Sequence, residues 1–221
     1  MSLFQLKDVK VEYGMGESRV YALKGIDLEI KEQEQIAIIG PSGSGKSTLL
    51  NVLSGLENIT SGEIYYNGTA FHQLSQKKLS EMRLKNFGFV FQAFYLISSM
   101  TVQDNIYLPA ITLEGKVDKE LFDELIEQLG LKERMKHLPG QLSGGEKQRV
   151  AIARALINKP KVIFADEPSG NLDSRNGNMV FDLLFRFSEK YKQTLIYVTH
   201  DLEKASLAKR QIQIKDGVVT E

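Results

Sequence analysis

The chain has no cysteine, no net charge and no long apolar run, and each of these absences excludes a class of protein. Without cysteine it forms no disulfide and no thiolate metal site, which suits a reducing compartment. Its 28 basic and 28 acidic residues cancel, so no bulk field attracts nucleic acid or an anionic membrane. No apolar stretch reaches the roughly 18 residues of a membrane-spanning helix, and no signal-peptide pattern opens the chain. We therefore expect no direct nucleic-acid contact, and membrane contact only through a partner.

The 221 residues have the composition of an ordinary globular domain that can bury a proper core. Alternating apolar residues predict strands at residues 4–13 and 19–30, with a loop at residues 14–17 between them. The middle of the chain is mostly helical in pattern, and strands and helices then alternate. The near-continuous apolar strands at residues 162–165 and 195–198 favour a parallel sheet that is buried on both faces.

A glycine-rich motif at residues 40–47, GPSGSGKS, fits the pattern G-x-x-x-x-G-K-[ST]. It follows a predicted strand, Gln35–Ile39, and precedes a predicted helix, Lys46–Leu53. The glycines let successive N–H groups point at phosphate oxygens, and the helix adds its positive end. Lys46 would then reach the β- and γ-phosphates, and the Ser47 hydroxyl would ligate Mg²⁺. The alternative is a simple glycine-rich turn, but chance produces this pattern in only about one chain in a hundred.

Two adjacent carboxylates, Asp166 and Glu167, close the apolar strand Val162–Asp166. Asp166 can hold Mg²⁺, and Glu167 can orient and polarise an attacking water. The alternative interpretation is that both cap a helix. Their position after a phosphate loop and before Pro168 favours the catalytic interpretation.

A second helix start carries two adjacent glycines, Gly144 and Gly145, between Ser143 and Glu146. Ser143 and Glu146 have capping-box spacing, so a capped helix explains part of the pattern. Each glycine costs about 1 kcal/mol against alanine, which indicates that something approaches this backbone closely. A polyphosphate at the helix N terminus is the natural candidate, and a second anion site suggests a composite pocket that two chains can share.

The order and spacing of these motifs resemble the ATP-binding subunits of ABC transporters over nearly the whole chain. In that family residues 40–47 correspond to the Walker A loop, residues 142–146 to the signature and Val162–Asp166 to the Walker B strand. Gln92, which follows an apolar strand, corresponds to the Q-loop. The resemblance implies that Glu167 is the catalytic base.

Three further positions follow from the same resemblance. Residues 169–173 correspond to the D-loop, and His200 to the switch histidine that contacts the γ-phosphate. Tyr13, upstream of the phosphate loop, corresponds to the aromatic residue that stacks on adenine. Strand packing remains the alternative for Tyr13, and a purely structural histidine is the alternative for His200.

The predicted site residues fall into three groups. The predicted ATP-binding residues are Tyr13, Gly40, Pro41, Ser42, Gly43, Ser44, Gly45, Lys46, Ser47, Thr48, Gln92, Ser143, Gly144, Gly145, Glu146 and His200. The predicted catalytic residues are Glu167, His200, Lys46 and Gln92. The predicted metal ligands are Ser47, Gln92 and Asp166, and the predicted cofactors are ATP and Mg²⁺.

The resemblance also implies a fold and an assembly. The fold is an α/β P-loop NTPase core with a mainly parallel sheet, an N-terminal antiparallel β subdomain and an α-helical subdomain at roughly residues 93–158. All of it forms one ABC ATP-binding domain over residues 1–221. The implied assembly is an ATP-dependent, head-to-tail homodimer in which each ATP lies between one Walker A loop and the other chain's signature. A transmembrane permease would be its partner, and the subunit itself would be cytoplasmic and peripheral on the inner face of the cell membrane.

Finer features resemble the branch of lipoprotein-release, macrolide-export and antimicrobial-peptide-resistance ATPases. They are residues 13–17, residues 89–92 with Leu96 shortly after, and residues 169–173. The signature has Glu146 where glutamine is frequent in the family, and we expect no penalty because glutamate also caps a helix.

The aromatic residues Phe94 and Tyr95 belong either to the core or to a partner contact. The family places its groove for the membrane subunit beside this loop, which favours the contact. We expect the partner to define the transported substrate.

Other functions remain as alternatives. A soluble ABC ATPase acting on nucleic acid or ribosomes usually carries two motif sets or a long coiled-coil insertion, and this sequence has neither. In a P-loop kinase or a GTPase, residues 142–146 would have no role, and the guanine-reading pattern Asn-Lys-x-Asp is absent. A nucleotide-binding protein without turnover would not need Glu167.

Overall fold

The computed structural model describes residues 2–14 and 19–220. Of the loop predicted at residues 14–17, Met15, Gly16 and Glu17 lie outside the described residues. The strands are β1 (Ser2–Tyr13), β2 (Val20–Lys31), β3 (Gln35–Ile39), β4 (Ser61–Tyr66), β5 (Thr69–Ala70), β6 (Phe87–Phe91), β7 (Val162–Asp166), β8 (Thr194–Val198), β9 (Arg210–Lys215) and β10 (Val218–Thr220). The α-helices are α1 (Lys46–Leu53), α2 (Gln76–Asn86), α3 (Val102–Glu114), α4 (Lys119–Gln128), α5 (Gly144–Leu156), α6 (Ser174–Lys190) and α7 (Leu202–Ala205).

The chain divides into two compact units. Residues 1–83 with residues 194–221 form the first, which we call the phosphate-loop unit. Residues 84–193 form the second, which we call the signature unit. The sequence predicted a single domain over residues 1–221 with a helical subdomain at roughly 93–158. The division into two compact units does not test this assignment, which stays a prediction.

The phosphate-loop unit contains an antiparallel sheet in the order β2-β1-β4-β5. Alternation in β1 buries Phe4 and Leu6 and then shifts by one residue to bury Val9 and Val11. Asp8 lies at this shift with φ 45°, and the register with β2 breaks between Leu6 and Val9. The bulge therefore returns the apolar side chains to the buried face.

The same unit contains strands β10, β9, β3 and β8, neighbours in that order. Strand β3 pairs in parallel with both β8 and β9, and β10 pairs antiparallel with β9. All five residues of β8 are buried, as are the first four of β3. The near-continuous apolar pattern thus correctly predicted strands covered on both faces.

Two-residue turns close the hairpins β4–β5 and β9–β10 of this unit. Asn67 and Gly68 join β4 to β5 with φ of 47° and 75°, and Asp216 and Gly217 join β9 to β10 with φ of 52° and 81°. Positive φ at both positions belongs to the turn type that matches strand twist.

The signature unit combines the parallel pair β6–β7 with helices α3 to α6. Helix α5 packs against β6, α3, α4 and α6. Helix α4 buries Leu121, Phe122, Leu125 and Ile126 at helical spacing. It ends at Gln128, and Gly130 follows the C-cap with φ 61°, the left-handed conformation common after a helix.

The fold is of the predicted α/β class, with an antiparallel sheet, a mixed sheet that is parallel in its centre, and helices. Among residues 2–14 and 19–220, no helix combines the length and the apolar character that crossing a bilayer requires.

Candidate nucleotide-binding site

The phosphate loop joins β3 to α1 through three glycines with positive φ. The values are 151° at Gly40, 75° at Gly43 and 106° at Gly45. A Cβ on Gly40 would lie 2.0 Å from the Ile214 carbonyl oxygen, and one on Gly45 would lie 2.5 Å from that of Ala22. Only glycine fits at these two positions, because the obstructing atoms are backbone. A Cβ on Gly43 would meet no atom of the described residues within 4 Å.

Lys46 places a positive charge inside this loop. The residue is only 9% exposed, and its Nζ donates to the carbonyl oxygens of Gly40 at 2.9 Å and Pro41 at 2.8 Å. The Ser44 hydroxyl is also buried, and it has no hydrogen-bond partner within residues 2–14 and 19–220. A buried orphan hydroxyl beside a buried ammonium suits the oxygens of a phosphate group.

Helix α1 adds its N terminus to the loop. The residue at its cap is Gly45, which has no side chain to accept a hydrogen bond from the first turn. The first turn also contains no acidic residue that would compete for the positive end of the helix. Ser47 is exposed and Thr48 is half-buried on this turn. The loop, the lysine and the helix end therefore fit a polyphosphate.

The C-terminal hairpin braces the phosphate loop, which the sequence analysis did not foresee. The Gly217 N–H donates to the Ser44 carbonyl at 3.0 Å, and the Gly217 carbonyl accepts from the Lys24 N–H at 2.8 Å. The Ile214 carbonyl lies against Gly40 from the same hairpin. A turn sequence such as that at residues 216–217 does not reveal what the turn packs against.

Tyr13 and His200 belong to the same unit as the phosphate loop. Tyr13 ends β1 with 42% of its surface exposed, and its hydroxyl donates to Glu57 Oε2 at 3.2 Å. Partial burial raises the pKa of Tyr13. The hydrogen bond with the Thr48 side chain lowers this pKa in part, and the nearby Glu57 carboxylate raises it further. His200 is exposed one residue after Thr199. Their predicted contacts with adenine and the γ-phosphate stay predictions.

In the signature unit, Asp166 and Glu167 follow one another at the end of β7. The Asp166 carbonyl accepts from the Gln92 N–H at 3.0 Å. Glu167 has φ 46°, a left-handed conformation that costs a non-glycine residue about 1–2 kcal/mol. A turn, in which the Gly170 N–H donates to the Glu167 carbonyl at 3.0 Å, helps to hold it. Such strain is typical of functional positions.

Helix α5 begins with the predicted capping box. Ser143 Oγ accepts from the Glu146 N–H, and Glu146 Oε2 accepts from the Ser143 N–H and hydroxyl, both at 2.8 Å. Glu146 Oε1 accepts from Arg134 Nε at 2.7 Å. The Arg134 guanidinium first, and then the two Ser143 donors, lower the pKa of Glu146 to about 2. Glutamate thus caps this helix as expected.

The two signature glycines have neighbours within the chain. A Cβ on Gly145 would lie 2.6 Å from Asn176 Oδ1, and one on Gly144 would lie 3.3 Å from Leu172 Cδ2. The close approach inferred from the sequence is real, but the chain's own side chains account for it. The glycines alone therefore carry less information about a ligand than their sequence pattern suggested. Ser143, in contrast, is exposed at the helix end.

The loop after Gln92 is held by an arginine that the sequence analysis missed. Phe94 and Tyr95 both have positive φ, 59° and 46°. Arg154 of α5 donates from its two terminal nitrogens to their carbonyl oxygens, at 2.7 Å to Phe94 and 2.5 Å to Tyr95. Burial lowers the pKa of Arg154. Phe94 is half-buried, whereas Tyr95 is 65% exposed.

The predicted site residues are thus distributed over both units. The phosphate-loop unit contains Tyr13, residues 40–48 and His200, and the signature unit contains Gln92, residues 143–146, and the pair Asp166 and Glu167. Within residues 2–14 and 19–220, no cluster of three or more His, Asp or Glu side chains forms a metal site by itself. The individual roles of these residues stay predictions.

A glycine-built phosphate loop, a capped signature helix and a strand that ends in two carboxylates define a P-loop ATPase of the ABC type. The chain belongs to the ABC transporter family, whose pattern it matches over residues 23–170, more than half of its length.

Similar proteins support this assignment. The lipoprotein-releasing system ATP-binding protein LolD of Shewanella frigidimarina is 41% identical over 99% of this chain and 92% of its own length. The macrolide export ATP-binding/permease protein MacB of Wolinella succinogenes is 46% identical over 99% of this chain, which spans only 34% of MacB. The dimeric post-hydrolysis structure of the Methanocaldococcus jannaschii cassette MJ0796, bound to ADP and Pi, superposes with a TM-score of 0.91 at 41% identity, covering 99% and 97% of the two chains.

These findings confirm the predicted family, its branch, the fold and the ATPase activity. The chain is an ATP-hydrolysing motor subunit of the ABC transporter type.

Proposed function

We propose that two copies of this chain bind two ATP molecules with Mg²⁺ between them, head to tail, and that hydrolysis drives a transmembrane permease. The observation that carries this proposal is the presence in one chain of two helix starts whose free N–H groups suit an anion. One is the phosphate loop around Lys46, and the other is the capped N terminus of α5 with Ser143 exposed. The dimeric state of the similar MJ0796 cassette supports the pairing.

The chain's own donors suit Mg²⁺ as well as ATP. The ligands proposed are the Ser47 hydroxyl, the Gln92 side-chain carbonyl and the Asp166 carboxylate, all hard oxygen donors of the kind that Mg²⁺ prefers. When bound, the ion neutralises charge on the phosphates. Lys46 and the loop N–H groups bind the β- and γ-phosphates, and Tyr13 stacks on adenine.

Glu167 orients the attacking water and accepts its proton. Its position directly after the proposed metal ligand Asp166, in a strained turn, suits this role. His200 donates a hydrogen bond to the γ-phosphate as negative charge develops there. Ser143 and the first N–H groups of α5 bind the same phosphate from the second chain. Each site is therefore complete only in the dimer.

The permease contact is assigned to the loop around Tyr95. Arg154 holds the backbone of this loop while the Tyr95 side chain remains mostly exposed, and Ile97 is 38% exposed two residues later. Exposed aromatic and aliphatic residues on a fixed backbone are suited to anchoring a partner. The subunit would then lie at the inner face of the cell membrane.

The names of the similar proteins indicate the class of substrate. LolD is named for lipoprotein release and MacB for macrolide export. We infer that the partner permease exports or extracts an amphipathic molecule, such as a lipid, lipoprotein or peptide. Site-specific crosslinking from residue 95 to a co-expressed candidate permease tests the contact, with exposed Lys77 as the control position.

Glu167→Gln tests the base. The variant should retain ATP binding, while turnover with Mg²⁺ falls by about 10²–10⁴-fold because the proton acceptor is lost. A steady-state phosphate-release assay and a nucleotide titration on the same sample separate the two effects. Wild-type turnover in this variant would show that Glu167 is not the base.

Dimerisation tests the composite site. ATP should convert the Glu167→Gln protein into a dimer, and Ser143→Arg in the same background should prevent it, because the bulky side chain blocks the helix end. Size-exclusion chromatography with light scattering measures both, and ATP binding by the Ser143→Arg monomer is the control. A Glu167→Gln protein that remains monomeric at saturating ATP contradicts the proposal.

A further inference from the structure

Gln92 is held by a reciprocal pair of hydrogen bonds with Asn171. Gln92 Nε2 donates to Asn171 Oδ1 at 3.1 Å, and Asn171 Nδ2 donates to the Gln92 main-chain carbonyl at 2.9 Å. The two residues are 79 positions apart, and both belong to the signature unit. We call this pair the amide clasp.

Asn171 is fixed by the turns on either side of it. The Gly170 N–H donates to the Glu167 carbonyl at 3.0 Å, and the Leu172 N–H donates to the Ser169 carbonyl at 3.0 Å. Asp173 then caps α6 by accepting from the Asn176 N–H at 2.9 Å. Two consecutive turns and a helix cap therefore restrain the backbone that carries the Asn171 side chain.

Gly170 contacts the Gln92 side chain from a second direction. A Cβ on Gly170 would lie 2.6 Å from Gln92 Nε2 and 2.9 Å from its Cδ. Gly170 is not among the glycines with positive φ, so its lack of a side chain serves the contact rather than a left-handed conformation. The amide group of Gln92 is thus bounded by the Gly170 backbone as well as by Asn171.

We propose that Asn171 is a positioning residue that orients the Gln92 amide for cation binding. A glutamine amide has a donor end and an acceptor end, and only the oxygen ligates Mg²⁺. An unrestrained amide turns over and presents NH₂ to a cation in part of its population. Because Asn171 Oδ1 holds the nitrogen, the Gln92 oxygen is the end turned away from Asn171. This inference rests on the proposed function, in which Gln92 is a metal ligand.

The clasp also explains why asparagine suits position 171. Its side chain supplies an acceptor for Gln92 Nε2 and a donor for the Gln92 carbonyl. Aspartate supplies only the acceptor, and leucine, of similar size, supplies neither. Outer partners of metal ligands commonly change metal affinity by about 10–100-fold when removed.

Two variants test the clasp from opposite sides. Asn171→Leu removes both hydrogen bonds, and Gly170→Ala displaces the Gln92 amide. In the Glu167→Gln background with ATP, we expect each to raise the dissociation constant for Mn²⁺ about tenfold in an electron paramagnetic resonance titration. Affinity for a fluorescent ATP analogue in EDTA should stay within about twofold, since the clasp acts through the metal.

A measurement without nucleotide or metal checks the orientation directly. In ¹⁵N-resolved spectra, the Gln92 side-chain NH₂ should show the shift and slow exchange of a hydrogen-bonded amide. Asn171→Asp should keep this signature because it retains the acceptor, whereas Asn171→Leu should lose it. A solvent-like Gln92 NH₂ in the unmodified protein would overturn the inference.

Gln92→Ala distinguishes the metal-binding role of Gln92 from the positioning role of Asn171. If Gln92→Ala weakens Mn²⁺ binding while Asn171→Leu and Gly170→Ala do not, positioning by Asn171 is refuted and the proposed metal ligand stands. If Gln92→Ala leaves Mn²⁺ binding unchanged, Gln92 is not a ligand, and both statements fall. ATP-driven dimerisation of Glu167→Gln remains an independent measure of the wider proposal.

Discussion

The phosphate loop is held mainly by backbone atoms, whereas the site residues of the signature unit are held mainly by side chains. Around the loop, carbonyl oxygens of Ala22 and Ile214 exclude any Cβ at two glycines. In the signature unit, Asn171 binds Gln92 and Arg134 binds Glu146, both through side-chain hydrogen bonds.

This difference has consequences for how each region tolerates change. A backbone contact cannot be deleted by substitution, and it is disrupted only when a new side chain is forced against it. A side-chain contact is removed by a single truncation, and it can also rearrange when a ligand arrives. We therefore expect a rigid phosphate loop and a signature unit whose site residues can be altered one by one.

The largest effect should come from Gly45→Ala. Its Cβ would lie 2.5 Å from the Ala22 carbonyl at φ 106°, so the backbone must move. We expect a loss of about 3 kcal/mol in the free energy of unfolding, measured in urea without nucleotide. Gly43→Ala is the matched control, with φ 75° and open space, and should cost about 1 kcal/mol. Equal losses of unfolding free energy in the two variants would mean that the close contact between Gly45 and the Ala22 carbonyl does not constrain the loop.

Lys46→Ala removes the charge that the loop carbonyls hold. We expect ATP affinity to fall by roughly 1.5–3 kcal/mol, or about 10–150-fold, because a charged contact to phosphate is lost. Fluorescent-nucleotide titration measures this change. Lys77→Ala on α2 makes the same charge change at an exposed position and should leave affinity unaltered. An unchanged affinity in Lys46→Ala would place the phosphates elsewhere.

Gln148→Leu tests a buried side-chain contact of the signature unit. Gln148 is fully buried, and its Nε2 donates to the Pro168 carbonyl at 2.6 Å, next to Glu167. Leucine leaves that carbonyl unpaired, so unfolding free energy should fall by about 1–2 kcal/mol. Gln128→Leu loses a bond to Glu124 Oε1, and because both of these residues are only half-buried, it should cost less. An unchanged free energy of unfolding in Gln148→Leu would show that this side-chain hydrogen bond does not stabilise the signature unit.

Arg134→Met should have the smallest effect and a characteristic pH dependence. The folded-state pKa of Glu146 is lowered to about 2, so its stabilisation is complete above the unfolded value near 4.5. It is then lost as the pH falls from about 5 to about 2. At pH 7 the variant should lose about 1 kcal/mol of unfolding free energy, a value reduced for solvent screening of Arg134. The difference from the unmodified protein should shrink in acid, and a pH-independent difference would contradict this origin.

Local signals predicted local structure well. The predicted bounds of Gln35–Ile39 and Lys46–Leu53 agree with β3 and α1, and the Ser143–Glu146 capping box is present. These features depend on residues a few positions apart, whose spacing and backbone preferences the sequence displays directly.

Long-range partners were not predictable in the same way. Arg154 contacts residues 94 and 95, and Asn171 contacts Gln92, across some 60 to 80 positions. No spacing rule connects such pairs, because folding alone brings them together. For the same reason the sequence assigned the close approach at Gly145 to a ligand, where Asn176 provides it.

The sequence by itself determined the family, the phosphate loop and the order of the motifs, since each of these depends on residue types at short, fixed spacing. Only the tertiary structure decided which atoms hold those motifs in place: the Arg134 side chain on Glu146, the Asn171 side chain on Gln92 and the Ile214 carbonyl against Gly40. The residue type alone fixes which chemical groups a side chain offers. Its partner depends on the distance between atoms, which is a property of the folded chain alone.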